Sequence, residues 1–271
     1  MDIEQINRWI EEPLDARPEE IENRFFHSFE NRRPEQITYN QLRQINIPEG
    51  PPGNQLHGLV EEFGIEILAY YIPFQFHSPE RPWGIYLRGE GIAHVRHRIM
   101  QIAELDGHNF QNPEIPTNVA IDILLLHELR HHAIEVAFTR VDLQNGTRHE
   151  YQHYIREKRN HNDLHNHTEA ICNANVAKHH FKTDWQLPGI ISPPNVIVSL
   201  DWNNYVREFM LGQPAGYNDF ERFRGLSSER VLELLQQPQN HGFDQAQITR
   251  EFNSHSQLGT LNRLPVPIRV V

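Results

Sequence analysis

Helical spacing of apolar positions dominates this chain. From Ala120 to Phe138 the sequence reads AIDILLLHELRHHAIEVAF, free of glycine and proline, with Ile121, Leu124, Leu125, Ala133, Ile134 and Phe138 recurring at three- and four-residue steps. That spacing predicts a buried or half-buried helix. Ile92, Val95, Ile99 and Ile102 step in the same way between Gly91 and Leu105, and Ala170, Ile171, Ala174, Val176 and Ala177 make a small-residue helix able to pack closely against another. Residues 1–63 read as helices separated by proline. One carries Ile3, Ile6, Trp9 and Ile10, a second starts at Pro18 and carries Ile21, Phe25, Phe26 and Phe29, and a third starts at Pro34. Trp202 to Leu211, Ser227 to Leu235 and Phe243 to Phe252 are further predicted helices.

Strand signals are concentrated in one region. GIEILAYYIPFQF, residues 64–76, is β-branched and aromatic, and after the turn HSPERP the segment WGIYLR, residues 83–88, offers a second strand. Residues 183–200 read as a loop with one short strand, and the tail LPVPIRVV is extended by its prolines, able to add to an edge strand or lie in a groove. The loop DGHNFQNPEIPTN leads into the long helix with Thr117 or Asn118 as its cap, and residues 140–166 read as an exposed, partly helical excursion. The expected fold is therefore α+β and predominantly helical, with a small twisted β-sheet ahead of the Ala120–Phe138 helix. The Pro- and Gly-rich run IPEGPPGNQ, residues 47–55, is the best boundary; it divides an N-terminal helical subdomain, 1–52, from a main domain, 53–271.

Composition narrows the function classes. With 271 residues the chain is long enough to bury a substantial core. Its 25 basic and 36 acidic residues leave a formal charge of -11, so no basic surplus exists to neutralise phosphates, and neither nucleic acid nor an acidic membrane is an expected partner. The mixed-sign run Arg156-Glu157-Lys158-Arg159 reads as a solvated helix face. Cys172 is the one cysteine, which excludes an internal disulfide and a zinc ribbon, and its helix makes it a small core residue. The acidic N-terminus lacks an apolar run of signal-peptide length and no stretch approaches ~18 apolar residues, so a cytoplasmic protein is expected.

The chemistry sits inside the long helix, in His127-Glu128-Leu129-Arg130-His131. Positions four apart lie on one helix face, so two imidazoles reach one metal ion while Glu128, one step round, faces water at that ion. This H-E-x-x-H helix resembles the active-site helix of the zincin metallopeptidases. The resemblance implies a zincin-like fold, Zn²⁺ as cofactor, His127 and His131 as ligands, Glu128 as general base, and a protein or peptide substrate held along an edge strand of the sheet. Arg130 and His132 depart from the uncharged residues that the fuller zincin pattern prefers; they are expected to point to solvent or substrate. Ile134 and Ala137 stand where the metzincin branch has Gly and His, so that branch is excluded.

A catalytic zinc keeps three protein ligands and an open position. Glu150, at a spacing like that of thermolysin-like enzymes, and Glu169 are the acidic candidates, with His165 a further one. Glu169 is preferred because it lies on the small-residue helix, whereas the segment around Glu150 is almost wholly polar. In gluzincins, which use two His and one Glu, a polar residue one turn beyond that Glu often holds a ligand His; here that residue is Asn173. His165, one turn before Glu169, is the expected donor to a developing oxyanion, and Tyr205 and Tyr217 are further candidates. The expected activity is a zinc metallopeptidase using metal-activated water. The alternatives are a di-iron carboxylate oxidoreductase built on the pairs Glu128/His131 and Glu150/His153, and a non-catalytic binding protein on a zincin fold.

Overall fold

The computed structural model describes residues 35–47, 54–74, 82–107, 113–145, 149–179, 181, 202–236, 245–258 and 266–271. The helices expected over residues 1–33 and the short strand expected within 183–200 lie outside them. In chain order the elements are β1 (Gln36–Ile37), α1 (Tyr39–Leu42), α2 (Asn54–Phe63), a 3-10 turn (Gly64–Ile67), β2 (Ala69–Ile72), β3 (Gly84–Leu87), α3 (Gly89–Leu105), α4 (Glu114–Asn145), α5 (His149–Asn160), α6 (Asn162–Lys178), α7 (Trp202–Leu211), α8 (Glu221–Arg224), α9 (Ser228–Gln236), α10 (Gln245–His255) and β4 (Ile268–Val270). The fold is α+β and predominantly helical, with a small mixed sheet.

α4 is the axis of the molecule. From Val119 to Arg130 every residue is buried, because the helix is apolar almost all round and is enclosed by α3, α5, α6, α10 and β2. It is longer at both ends than the apolar periodicity marks. Its first turn holds Pro116, which needs no intrahelical donor there, so neither Thr117 nor Asn118 is the cap; Thr117 instead bonds the Pro113 carbonyl through both its backbone N–H, at 3.0 Å, and its hydroxyl, at 2.6 Å.

The sheet order is β1-β4-β3-β2. β2 and β3 form the expected antiparallel pair, with Tyr71 opposite Ile85. The tail adds to the sheet beside β3: β4 is parallel to β3 and antiparallel to β1, because its residues 268–270 after the prolines carry N–H groups for the ladders and Ile268 is buried. The third N-terminal helix also differs. β1 precedes it, and α1 starts only after Thr38, whose side chain and Gln41 form a reciprocal capping box. Leu42 and Ile47 lie in the same core as α4, and Arg43 and Tyr39 both bond the buried Asp122 carboxylate on α4. Glycine is required where the 3-10 turn opens: Gly64 has φ +69°, and a Cβ there would stand 2.9 Å from the Tyr217 ring. No helix among the described residues is long and apolar enough to cross a membrane.

Candidate metal centre

α6 presents Glu169 to the face of α4 that carries His127 and His131. Ala170, Cys172 and Ala174, all buried and small, let the two helices approach. His127 Nε2 lies 3.2 Å from Glu169 Oε2, and His131 Nε2 lies 3.3 Å from both that oxygen and His127 Nε2. The three atoms form a nearly equilateral triangle. Around a tetrahedral zinc with bonds of ~2.0–2.1 Å, neighbouring ligand atoms stand about 3.3 Å apart, so the triangle has the size of one face of such a tetrahedron.

The tautomers agree with that reading. Asn173 Nδ2 donates to the Tyr217 carbonyl at 2.9 Å, which turns Asn173 Oδ1 towards His127 Nδ1, also at 2.9 Å. A carbonyl oxygen only accepts, so His127 carries its proton on Nδ1 and aims a lone pair from Nε2 at Glu169. Acceptors converging at this distance call for a cation between them, or for a proton. Burial works against charging His127, yet its hydrogen bond to Glu169 and the nearby carboxylates raise its pKa overall. Burial would likewise raise Glu169, but Lys158 and the two histidines hold it well below the carboxylate range. Burial takes His131 down to about 4.

Glu128 stands beside this triangle, 2 % exposed, and its Oε1 has no partner among the described residues. Its carboxylate accepts the backbone N–H of Tyr71 on β2, so the sheet edge runs alongside Glu128. Burial pushes Glu128 up to about 7. A buried carboxylate oxygen without a donor is unfavourable by about 1–3 kcal/mol or more, which marks a place for a protic group.

His127, Glu128, His131 and Glu169 are thus brought together. The other candidates are not ligands in this arrangement. His165 Nε2 bonds the Tyr217 hydroxyl at 3.0 Å and lies 3.8 Å from Glu66 Oε2; it borders the triangle without joining it. Glu150 opens α5, where its backbone N–H bonds Asp142, and His153 is 61 % exposed and paired with Glu157, so the second Glu-x-x-His pair does not reach the centre. Cys172 Sγ lies within 4.8 Å of the His127 and His131 ligand atoms, but burial and the Glu169 charge keep it a thiol, and the carboxylate makes the closer contacts. Of the two tyrosines, Tyr205 packs on Trp202, whereas Tyr217 donates to Glu66 Oε2 at 3.0 Å beside the centre.

Arg130 and His132 do not face solvent. Both are buried against α10: Arg130 stacks on Phe252 at 3.8 Å and donates to Ser256 Oγ at 2.8 Å, and His132 Nε2 meets His255 Nδ1 at 3.0 Å. The Tyr71 hydroxyl donates to Glu135 and accepts from Trp83 at 3.2 Å, so His132 Nδ1, 2.7 Å away, is the donor of that bond.

Two residues of the centre carried no motif. Glu66, on the 3-10 turn, is buried, and Lys158, on α5, is partly buried beside Glu169; Lys158 Nζ donates to Glu169 Oε1 at 2.9 Å and lies 3.7 Å from Glu66 Oε1. The basic run around Lys158 is therefore not wholly a solvated face. Tyr151, Tyr154 and Ile155 precede Lys158 at helical steps, and Tyr154 stacks on Phe138 at 4.7 Å; that stripe is the signal that turns Lys158 inward. Compared with protein-family models, curated proteins and solved structures, the chain matches none.

Proposed function

We propose that the protein is a zinc-dependent peptidase with His127, His131 and Glu169 as metal ligands and Glu128 as general base. The observation that carries the reading is the triangle of two imidazole nitrogens and one carboxylate oxygen at 3.2–3.3 Å. Bound there, zinc supplies a Lewis acid that polarises a carbonyl and brings water within reach of deprotonation near neutral pH. Glu128, buried and with an oxygen that has no partner among the described residues, takes a proton from water and returns it to the leaving amine. His165 and Tyr217 border Glu169 and are the candidate donors to a developing oxyanion; Tyr217 now donates to Glu66 and His165 to Tyr217, so either would exchange its present acceptor for the oxyanion. The β2 edge, which meets Glu128 through Tyr71, suits an extended peptide added as a further strand. A peptide as substrate follows from the zincin resemblance of the motif, which is analogy.

The test joins metal analysis of the purified protein to digestion of a mixed proteome by wild type and Glu128→Gln. Zinc in both proteins with cleavage only by wild type supports the proposal. Equal cleavage by both overturns it.

A further inference from the structure

The polar groups around Glu169 do not end at the triangle. Its Oε2 faces His127 and His131, and its Oε1 faces the ammonium of Lys158 at 2.9 Å. That ammonium is also 3.7 Å from Glu66 Oε1, and ligand atoms of Glu66, His165 and Glu169 lie within 4.8 Å of one another. Two carboxylates and an imidazole so close are a donor set for a divalent ion of the zinc, manganese or iron type. Glu66 and Glu169 are 7 % and 0 % exposed, and buried carboxylates persist as anions only when a cation balances them.

We infer that Lys158 is an internal cation that restricts the centre to one divalent ion, its ammonium standing in the cluster of Glu66, His165 and Glu169 where a second ion would otherwise bind. The inference rests on the metal ligation proposed above. In two-metal sites the ions lie about 3.5–4 Å apart, close enough for one carboxylate to serve both, and Glu169 has that disposition with an ammonium on one side. Lysine suits the task as a compact point charge on a flexible stem. Its helix is anchored by Tyr151 and Tyr154, both buried against Phe138. Lys158 is accordingly a positioning residue: it commits one oxygen of Glu169 to itself and leaves the other for the triangle.

The experiment counts ions. Wild type, Lys158→Arg, Lys158→Gln and Lys158→Gln/Glu66→Gln are stripped with chelator, reloaded with Zn²⁺ and analysed for metal per chain; Co²⁺ reloading, read by visible absorption, reports the geometry of each ion. One ion is expected in wild type and Lys158→Arg, two in Lys158→Gln, and one again in the double variant. No metal in wild type defeats the metal reading itself. One ion in both wild type and Lys158→Gln overturns this inference alone, as do two in wild type. If Lys158→Gln folds only when Zn²⁺ is added, two ions per refolded chain support the assignment, and no recovery with Zn²⁺ overturns it because a divalent ion then cannot replace the ammonium.

Discussion

Asn173 sets the tautomer of His127, and with it which ring nitrogen is open to a cation. Replacing it by Ala removes the Oδ1 acceptor 2.9 Å from Nδ1, and loss of such a partner typically weakens metal binding about 10–100-fold. A chelator competition with Zn²⁺ measures this; unchanged affinity would show that the ring is held by packing instead. His94 affords a test remote from the centre. It is buried on α3, facing a pocket shared with α2 and α7, with His57, His97 and Arg98 acting on it and Glu61, Glu208 and Gln213 lining the same pocket, and burial lowers its pKa from 6.5 to about 4. Between those values the unfolded chain takes a proton that the folded chain refuses, so its contribution is present above pH 6.5 and lost as pH falls towards about 4. Urea midpoints at about pH 7 and about pH 5 are expected to differ less in His94→Gln than in wild type. An identical pH dependence in the two proteins contradicts this account.

At the scale of elements, the centre depends on how α5 and the 3-10 turn are seated on α4. Phe138→Ala removes the ring on which Tyr154 stacks, and a buried Phe→Ala change typically destabilises by about 3–5 kcal/mol. Denaturant melts are expected to show that loss; a change below about 1 kcal/mol would mean that α5 does not lean on this ring. Gly64→Ala acts on the other wall. Its positive φ and the Tyr217 ring 2.9 Å from the added Cβ predict destabilisation of about 1 kcal/mol or more, with displacement of the tyrosine from Glu66. α10 serves α4 from outside the centre: Arg130, within the motif, and His132, just after it, are buried against that helix and hold those turns of α4 in place.

Across the whole molecule, the sheet ties distant parts of the chain to one another. β4 lies between β1 and β3, so deleting residues 266–271 strips ladder partners from both and takes the buried Val266 and Ile268 out of the core. The truncated chain is expected to lose cooperative thermal unfolding, measured by circular dichroism; a melting temperature equal to that of the full chain would show that the strand is dispensable. Metal removal acts on the same global equilibrium under the proposed function. An ion bound to the folded state alone at 100 times its Kd stabilises by about 2.7 kcal/mol, so chelation is expected to lower the melting temperature by several degrees.

Local pattern by itself determined the long helix with His127, Glu128 and His131 on adjoining positions, the small-residue helix of Glu169 and Asn173, the β2–β3 pair and most of the C-terminal helices, because spacing along a helix or strand depends on neighbours a few residues away. The small-residue helix already favours Glu169 as the closing acid and the stripe of Tyr151, Tyr154 and Ile155 already marks Lys158, whereas tertiary structure alone decided where the tail strand enters the sheet and that Arg130 and His132 turn inward. Those outcomes rest on contacts between segments far apart in the chain, such as Glu66 with Tyr217 and Arg130 with Ser256, and on the need to give every buried charge a partner. That need acts only after the helices have packed, so spacing in the chain does not show which partner each buried charge takes.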